Sequence, residues 1–460
     1  MLRCFVVLAL TFMVSACGVV YRGINSGLDT ISQSQMIRQG RYGELTEEEL
    51  AWATIAWKYV ENNTQTATGL VNGIDNLPTT DMDGLADYLV SLLAAKQFEF
   101  ITNKQYDERL TLVLTFLNEM SLSQDQAPNK VYNTESGDKV NFANQPDDIG
   151  WSSLAVGRLL IALSIVRQHS PEFSEYIDKA VLRWNFCELI SQEGELYGAR
   201  IENGVVQRYK EGRLGVEEYT SYGYIDWQIA PIKAMNLEPY NVATIYGVDI
   251  IFDGRDPRVY EMLRPVYSTP YLRLGLEFNW DYLRDPYSTD ATHTNHNLSA
   301  MADAVYQVQE QRWEQDRIYT ARGEHITSKD PFFVYDAIYG LGTPWITLAD
   351  DGSSHDHLAL VSTRVAFQMW ALWRTDYTKR LMTLVKELYD PERGWYEGRY
   401  ELTGAYEKSL TLKTNAGVLE ALLYKANGKL HKGRDSRAYR DVRFQSRFEH
   451  PGHCLVETFR

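Results

Sequence analysis

Thr46-Glu47-Glu48-Glu49-Leu50-Ala51-Trp52-Ala53 is the stretch whose reading decides the fold. A threonine hydroxyl can accept from the backbone N–H three residues on, and three acids then sit at the positive end of a helix dipole. The pattern predicts a helix through 50–62. The same grammar recurs downstream. Thr80 or Asp81 caps a second helix with Leu85, Leu89, Leu92 and Leu93 on one stripe, and Thr102 caps a third carrying Tyr106, Leu110, Val113, Leu114 and Leu117. Helical periods continue over 151–167, 173–190, 216–234, 296–313, 359–373, 377–388 and 410–425. Strands are a minority. The clearest is a hairpin of 195–201 and 205–209 turned by Asn203-Gly204, a pair that supplies the positive φ of a tight turn. So many antiparallel helices outgrow one simple core. The expected class is therefore mainly α: a toroid of helical hairpins, whose inner ring is buried against an outer ring and whose loops gather at one end.

The ends of the chain read differently from its body. Arg3, an apolar stretch over 5–14 too short to span a bilayer, and Val14-Ser15-Ala16-Cys17 resemble a bacterial lipoprotein signal. The resemblance implies lipidation of Cys17. Gly18 is not the aspartate that retains such proteins on the inner membrane, so the expectation is a lipid anchor on the periplasmic face of the outer membrane. The expected organisation is a signal over 1–17, a linker over 18–45, a folded body over 46–428 and a basic tail over 429–460. A net charge of −15 disfavours nucleic acid or anionic lipid as a partner, and points to a neutral ligand. Cys187 and Cys454 are left to form one disulfide, or Cys187 stays free in an apolar helix.

Function is legible in the aromatic residues: 30 Tyr, 16 Phe and 11 Trp, many beside a single carboxylate in a short Gly-bearing segment. An aromatic face covers the C–H surface of a pyranose while a neighbouring carboxylate accepts from its hydroxyls, so a polysaccharide or oligosaccharide is the expected partner. Candidate binding residues are Asp148 with Trp151, Glu218 with Tyr219, Trp280 with Asp281, Tyr335, and the set Trp395, Glu397 and Arg399. His293 and His296, and His355 with His357, lack the spacing of a zinc site, and no Gly-x-Ser-x-Gly, Walker or dinucleotide fingerprint occurs. No metal and no cofactor are expected.

Pro128-Asn129-Lys130-Val131-Tyr132, Gly150-Trp151-Ser152, Trp184-Asn185, Gly215–Tyr219, Gly275-Leu276-Glu277-Phe278, Phe332–Asp336 and Asp390–Gly398 together resemble a bacterial domain-of-unknown-function family, the 3131 type, over nearly the whole mature chain. More distantly the chain is similar to the glucoamylase-like domains of β-1,2-glucanases and cyclic β-1,2-glucan synthases, which implies an (α/α)6 toroid. Their Asn-Glu-Ala-Met and Gly-Phe-Tyr-Asp-Ala contexts correspond to Val216-Glu217-Glu218-Tyr219 and Phe333-Val334-Tyr335-Asp336-Ala337. The resemblance implies Glu217 as general acid and Asp336 as general base in an inverting glycoside hydrolase acting on a neutral glucan or exopolysaccharide. Glu218 is the rival acid, because helical neighbours point about 100° apart and only one can face a cleft. The alternative expectation is an inactive lipoprotein of the same fold that binds polysaccharide for synthesis or export machinery.

Overall fold

Thr46 caps as its sequence requires: its hydroxyl accepts from Glu49 N, and Glu49 Oε2 accepts from Thr46 N at 2.7 Å. In the computed structural model, which describes residues 40–237, 239–256, 262–283, 293–433 and 441–443, this starts the first of eleven main helices. They are α1 Glu47–Asn63, α2 Met82–Gln97, α3 Asn103–Glu119, α4 Ser153–His169, α5 Ser174–Val181, α6 Val216–Asp226, α7 Thr269–Phe278, α8 His296–Asp316, α9 Thr363–Leu372, α10 Asp376–Val385 and α11 Leu412–Asn427.

Six of them close a ring. α2 packs on α4, α4 on α6, α6 on α7, α7 on α9, α9 on α11, and α11 returns to α2. These helices are buried nearly all round, which is why their apolar residues do not keep to one narrow stripe. Outside the ring α1 covers α11, α3 covers α5, α8 lies on α7 and α10 on α9. The fold is an α/α toroid, as the capping pattern predicted. α4 and α6 cross closely: a Cβ on Gly223 would stand 2.1 Å from Gly157 O. Only hydrogen fits there, and that close approach outweighs the roughly 1 kcal/mol that a mid-helix glycine costs relative to alanine.

Three predicted elements need correction, and one helix was missed. The 173–190 period breaks into the 3-10 turn Pro171–Phe173, α5, and the turn Phe186–Leu189, because Asn185 turns its side chain onto Cys187 N instead of continuing a helix. The 216–234 period stops at Asp226, and Gln228 adopts φ 58°. Residues Leu360–Ser362 are a strand paired with Gly394–Tyr400, and Ser362 then caps α9. α7 was not predicted at all, although Pro270 in its first turn is a start signal. The expected hairpin is present as Tyr197–Glu202 and Val205–Lys210, with positive φ at Asn203 and Gly204.

The boundaries of the body also extend. Arg41 N donates to Ala371 O at 2.8 Å, Arg41 Nη1 to Trp373 O at 2.8 Å, and Gly43 N to Lys425 O at 2.9 Å, so residues assigned to the linker satisfy carbonyls at the C-terminal ends of α9 and α11. Lys429 pairs with Asp281 at 2.8 Å and His431 is buried, which places the first residues of the basic tail in the body. Cys187 is half-buried and disulfide-bonded rather than free. Cys17, the signal, most of the linker, Cys454 and most of the tail lie outside the described residues. Among the described residues no helix is long and apolar enough to cross a membrane.

Candidate active cleft

The N-terminal ends of the inner helices open into a cleft of about 520 Å³. The strand Thr79–Asp81 delivers Asp81 to the start of α2, where its Oδ1 caps the helix by accepting from Gly84 N at 2.6 Å. Ser152 caps α4, and Gly215, at φ 90°, begins α6 where a Cβ would meet the Tyr271 hydroxyl at 2.8 Å. Aromatic side chains of Phe142, Tyr209, Tyr219, Tyr267, Phe333 and Tyr335 line the cleft. Five carboxylates, Asp81, Asp83, Glu211, Glu324 and Asp350, face six cations, Lys130, Arg158, Arg200, Arg213, Arg273 and Lys413.

The floor is an ionic network to which all six inner helices contribute. Arg158 of α4 reaches Glu277 of α7 at 2.7 Å and Asp87 of α2 at 3.3 Å. Arg273 of α7 pairs with Asp83 at 2.9 Å and Asp87 at 3.0 Å. Lys413 of α11 bridges Asp83 at 3.1 Å and Glu324 at 3.4 Å, and Arg364 of α9 holds Glu324 at 3.3 Å. Tyr219 of α6 donates to Glu277 Oε2 at 2.9 Å, and Gln368 of α9 donates to Glu420 of α11 at 3.2 Å. Burial pushes Glu420 up to about 8, with Glu277 beside it adding to the shift, so this carboxyl is biased towards its protonated form. Burial also acts against the charge on Glu324, but Arg364 and Lys413 outweigh it and hold that carboxyl at about 2.

Asp81 stands out from this set. Burial, then the neighbouring charge of Asp83, raises it to about 6. Its neighbours on the wall are committed elsewhere: Glu211 accepts from Ser152 Oγ at 2.7 Å and from Ser153 N at 2.6 Å, stitching the start of α4 to the hairpin. Asp350 follows the strand Thr347–Ala349, where burial raises its pKa against the opposing pull of Arg213.

Of the residues singled out from sequence, Tyr219 and Tyr335 line this cleft. Glu217 and Asp336 do not share it. Glu217 turns to the outer side of α6, pairs with Arg255 at 2.7 Å and borders a crevice of about 10 Å³. Glu218 does not line the cleft; it accepts from Gly215 N at 2.6 Å at the start of its own helix. Asp336 is fully buried, accepting from Thr347 Oγ1 at 2.5 Å and Leu360 N at 2.8 Å beside His325. Alternation along the strand Phe333–Asp336 explains the split: Phe333 and Tyr335 point to the cleft, so Asp336 points away.

The other aromatic and acidic segments serve the scaffold. Trp151 is wholly buried ahead of α4, and Trp395 is wholly buried with its indole N–H on Trp52 O at 3.1 Å. Trp280 and Asp281 follow the C-terminal end of α7, at the opposite end of the ring from the cleft; Trp280 packs on His293 and Trp373. Glu397 accepts from Thr411 and Thr414 at 2.5 and 2.6 Å at the start of α11, Arg399 lies on the strand Gly394–Tyr400, and Asp148 closes its own loop through Lys139 at 2.8 Å and Ser123 at 2.5 Å. Among the described residues no cluster of three or more His, Cys, Asp or Glu is arranged to hold a metal ion. The sequence reading missed Asp81, Asp83, Glu324 and the cations between them. The sequence offers Thr80 or Asp81 as the helix cap, and Asp81 is the one that caps; its place over a ring of converging helix starts is visible only in three dimensions.

Residues 51–428 match the family model described as "Protein of unknown function (DUF3131)", and the chain belongs to that family. No curated protein matches it. Among solved structures it is similar to a candidate glucoamylase of Bacteroides fragilis, at 12% identity over 87% of this chain and 97% of that one with a TM-score of 0.58. It is likewise similar to an endo-β-1,2-glucanase of Chitinophaga pinensis solved with sophorotriose and glucose, at 12% identity over 88% and 98% with a TM-score of 0.56. A β-1,2-glucanase of Parabacteroides distasonis shares 10% identity over 87% of this chain and 60% of its own, with a TM-score of 0.57.

Proposed function

We propose that this member of the DUF3131 family hydrolyses glycosidic bonds in the cleft over its inner helix starts. The observation that carries the reading is Asp81, a carboxyl among the residues that line an aromatic-walled cleft, raised to about 6. At that value it is protonated often enough to donate and acidic enough to release its proton. In the inverting scheme Asp81 gives its proton to the leaving oxygen as the C1–O bond breaks. Water attacks C1 from the other face, and Asp350 takes the water proton. Asp83 and Glu324, tied to Arg273, Lys413 and Arg364, shape the floor and stay ionised. No cofactor enters these steps.

The glucanase and glucoamylase likenesses favour β-1,2-glucan as the first substrate to try. The cellular setting proposed is a lipid anchor at Cys17 on the periplasmic face of the outer membrane; Cys17→Ser is expected to move the protein from the membrane fraction to the soluble one. The test of activity is incubation of the whole protein with linear and cyclic β-1,2-glucans and other polysaccharides, following reducing ends and the anomeric configuration of the first product by NMR. New reducing ends with inverted configuration are expected. Binding without cleavage across the panel would instead support the second reading, a protein that holds polysaccharide for synthesis or export. That reading is favoured by the engagement of Asp83, Glu211 and Glu324 with protein partners.

A further inference from the structure

Two cations of the cleft differ from those of its floor. Lys130 and Arg213 line the same cleft, yet among the described residues neither has a carboxylate oxygen within 4.0 Å, the distance that defines an ion pair. Aromatic faces hold them instead. The Lys130 ammonium lies 5.4 Å from the centre of the Tyr209 ring, on whose face Arg200 also rests at 4.7 Å. The Arg213 guanidinium lies 4.9 Å from the Tyr335 ring and 5.7 Å from that of Tyr267, and its buried Nε has no hydrogen-bond partner.

A ring face attracts a cation without consuming its N–H donors; Arg213 also gives one side-chain hydrogen bond to Tyr335, which leaves its Nε and the Lys130 ammonium with donors for a ligand. The nearby carboxylates do not use them. Glu211 is occupied by Ser152 and Ser153, and Asp350 acts on Arg213 only through space. Burial lowers the Lys130 pKa, the mark of a charge not fully compensated by its surroundings. Arg158, Arg273 and Lys413 are already matched to carboxylates by ion pairs whereas Lys130 and Arg213 are not, in a chain that carries −15 overall.

We infer that the wall built from Lys130, Arg213 and their tyrosines binds an anionic group carried by the glycan, so that the substrate is an acidic polysaccharide and not a neutral one. The inference rests on the glycan-cleaving reading above and names the substrate class of that same cleft. A carboxylate or a phosphate ester matches the bidentate donors of Arg213, and the ammonium of Lys130 can share the same anion.

The test compares one glycan in two charge states. β-1,2-Gluco-oligosaccharides of a single length would be used as such and after selective oxidation of their primary hydroxyls to carboxylates, with free glucuronate and inorganic phosphate as separate probes. Binding to the whole protein would be followed by calorimetry at low and high salt. The carboxylated form is expected to bind about tenfold tighter or better, with the advantage shrinking as salt screens it. Lys130→Met and Arg213→Lys should each bring the ratio of the two affinities towards one. Lys130 is half-buried, so its variant keeps the comparison open if the Arg213 variant fails to fold. Equal binding of both forms, or a preference that survives in folded Lys130→Met, overturns the inference and leaves the glycan reading intact. Free phosphate or glucuronate binding as tightly as the carboxylated oligosaccharide would mark a simple anion site and also overturns it. If neither oligosaccharide binds, the glycan reading fails and the inference falls with it.

Discussion

The floor and the wall of the cleft use the same residue types to opposite ends. On the floor, Arg158, Arg273 and Lys413 are matched to Asp83, Asp87, Glu277 and Glu324 by ion pairs of 2.7–3.4 Å. On the wall, Lys130 and Arg213 rest on tyrosine rings. Removing charges from water is expensive unless each gains a partner, so a matched network in a helical ring fixes the geometry of its helices and has little left to offer a ligand. The wall cations keep donors that no carboxylate takes, the Arg213 Nε among them. The difference teaches where, in a toroid lined with charge, structure ends and recognition begins.

The comparison breaks most visibly at Arg158, which is 1% exposed. Arg158→Met leaves Asp87 and Glu277 short of a partner in the middle of the ring, and is expected to cost about 3–5 kcal/mol of stability, read as a fall in denaturation midpoint. A loss below about 1 kcal/mol would show that the floor charges do not depend on one another in this way.

A smaller effect is expected from pH. Glu420 moves from an ordinary 4.5 to about 8 in the fold. A raised carboxyl favours the folded state most when protonated, so its contribution is complete below about 4.5 and is lost as pH rises through about 8. Glu420→Gln, which mimics the protonated form, should flatten the decline in stability across that window. An unchanged slope in denaturant titrations between those two values would remove Glu420 as its source.

The smallest effect belongs to the wall. Lys130→Gln takes away a cation without stranding a carboxylate, and should change stability by no more than about 0.5 kcal/mol. A loss as large as that of Arg158→Met would erase the distinction between the two regions.

What could be read from the sequence follows the same division. Local chemistry was legible: Thr46, Thr102 and the Asn203-Gly204 turn act as their types require, because a cap or a turn is settled within four residues. The ring was legible from the succession of such starts. α7 was not: it is only ten residues long, and its polar positions Arg273 and Glu277 are buried in the ionic floor instead of marking a solvent face. The site was legible in kind, as aromatic rings beside carboxylates, but not in place. Tyr335 and Asp336 are adjacent in sequence and point to opposite sides of a strand, so a motif naming both could be right about the segment and wrong about the side chain. Trp151, Trp280 and Trp395 went to the core, where a large ring gains more by burial than it could at a half-wet subsite.

The most direct measurement sets the cleft carboxyl against the pair suggested by family resemblance. Asp81→Asn, Glu217→Gln and Asp336→Asn would be purified, their folding checked by circular dichroism, and their hydrolysis rates compared on the glycan that the wild type cleaves. With Asp81 as the acid, Asp81→Asn should lose a factor of about 10² to 10⁴ while still binding the glycan. Folded Glu217→Gln and Asp336→Asn should retain most of the activity. Near wild-type hydrolysis by Asp81→Asn, with a folded but inactive Glu217→Gln or Asp336→Asn, would contradict the account.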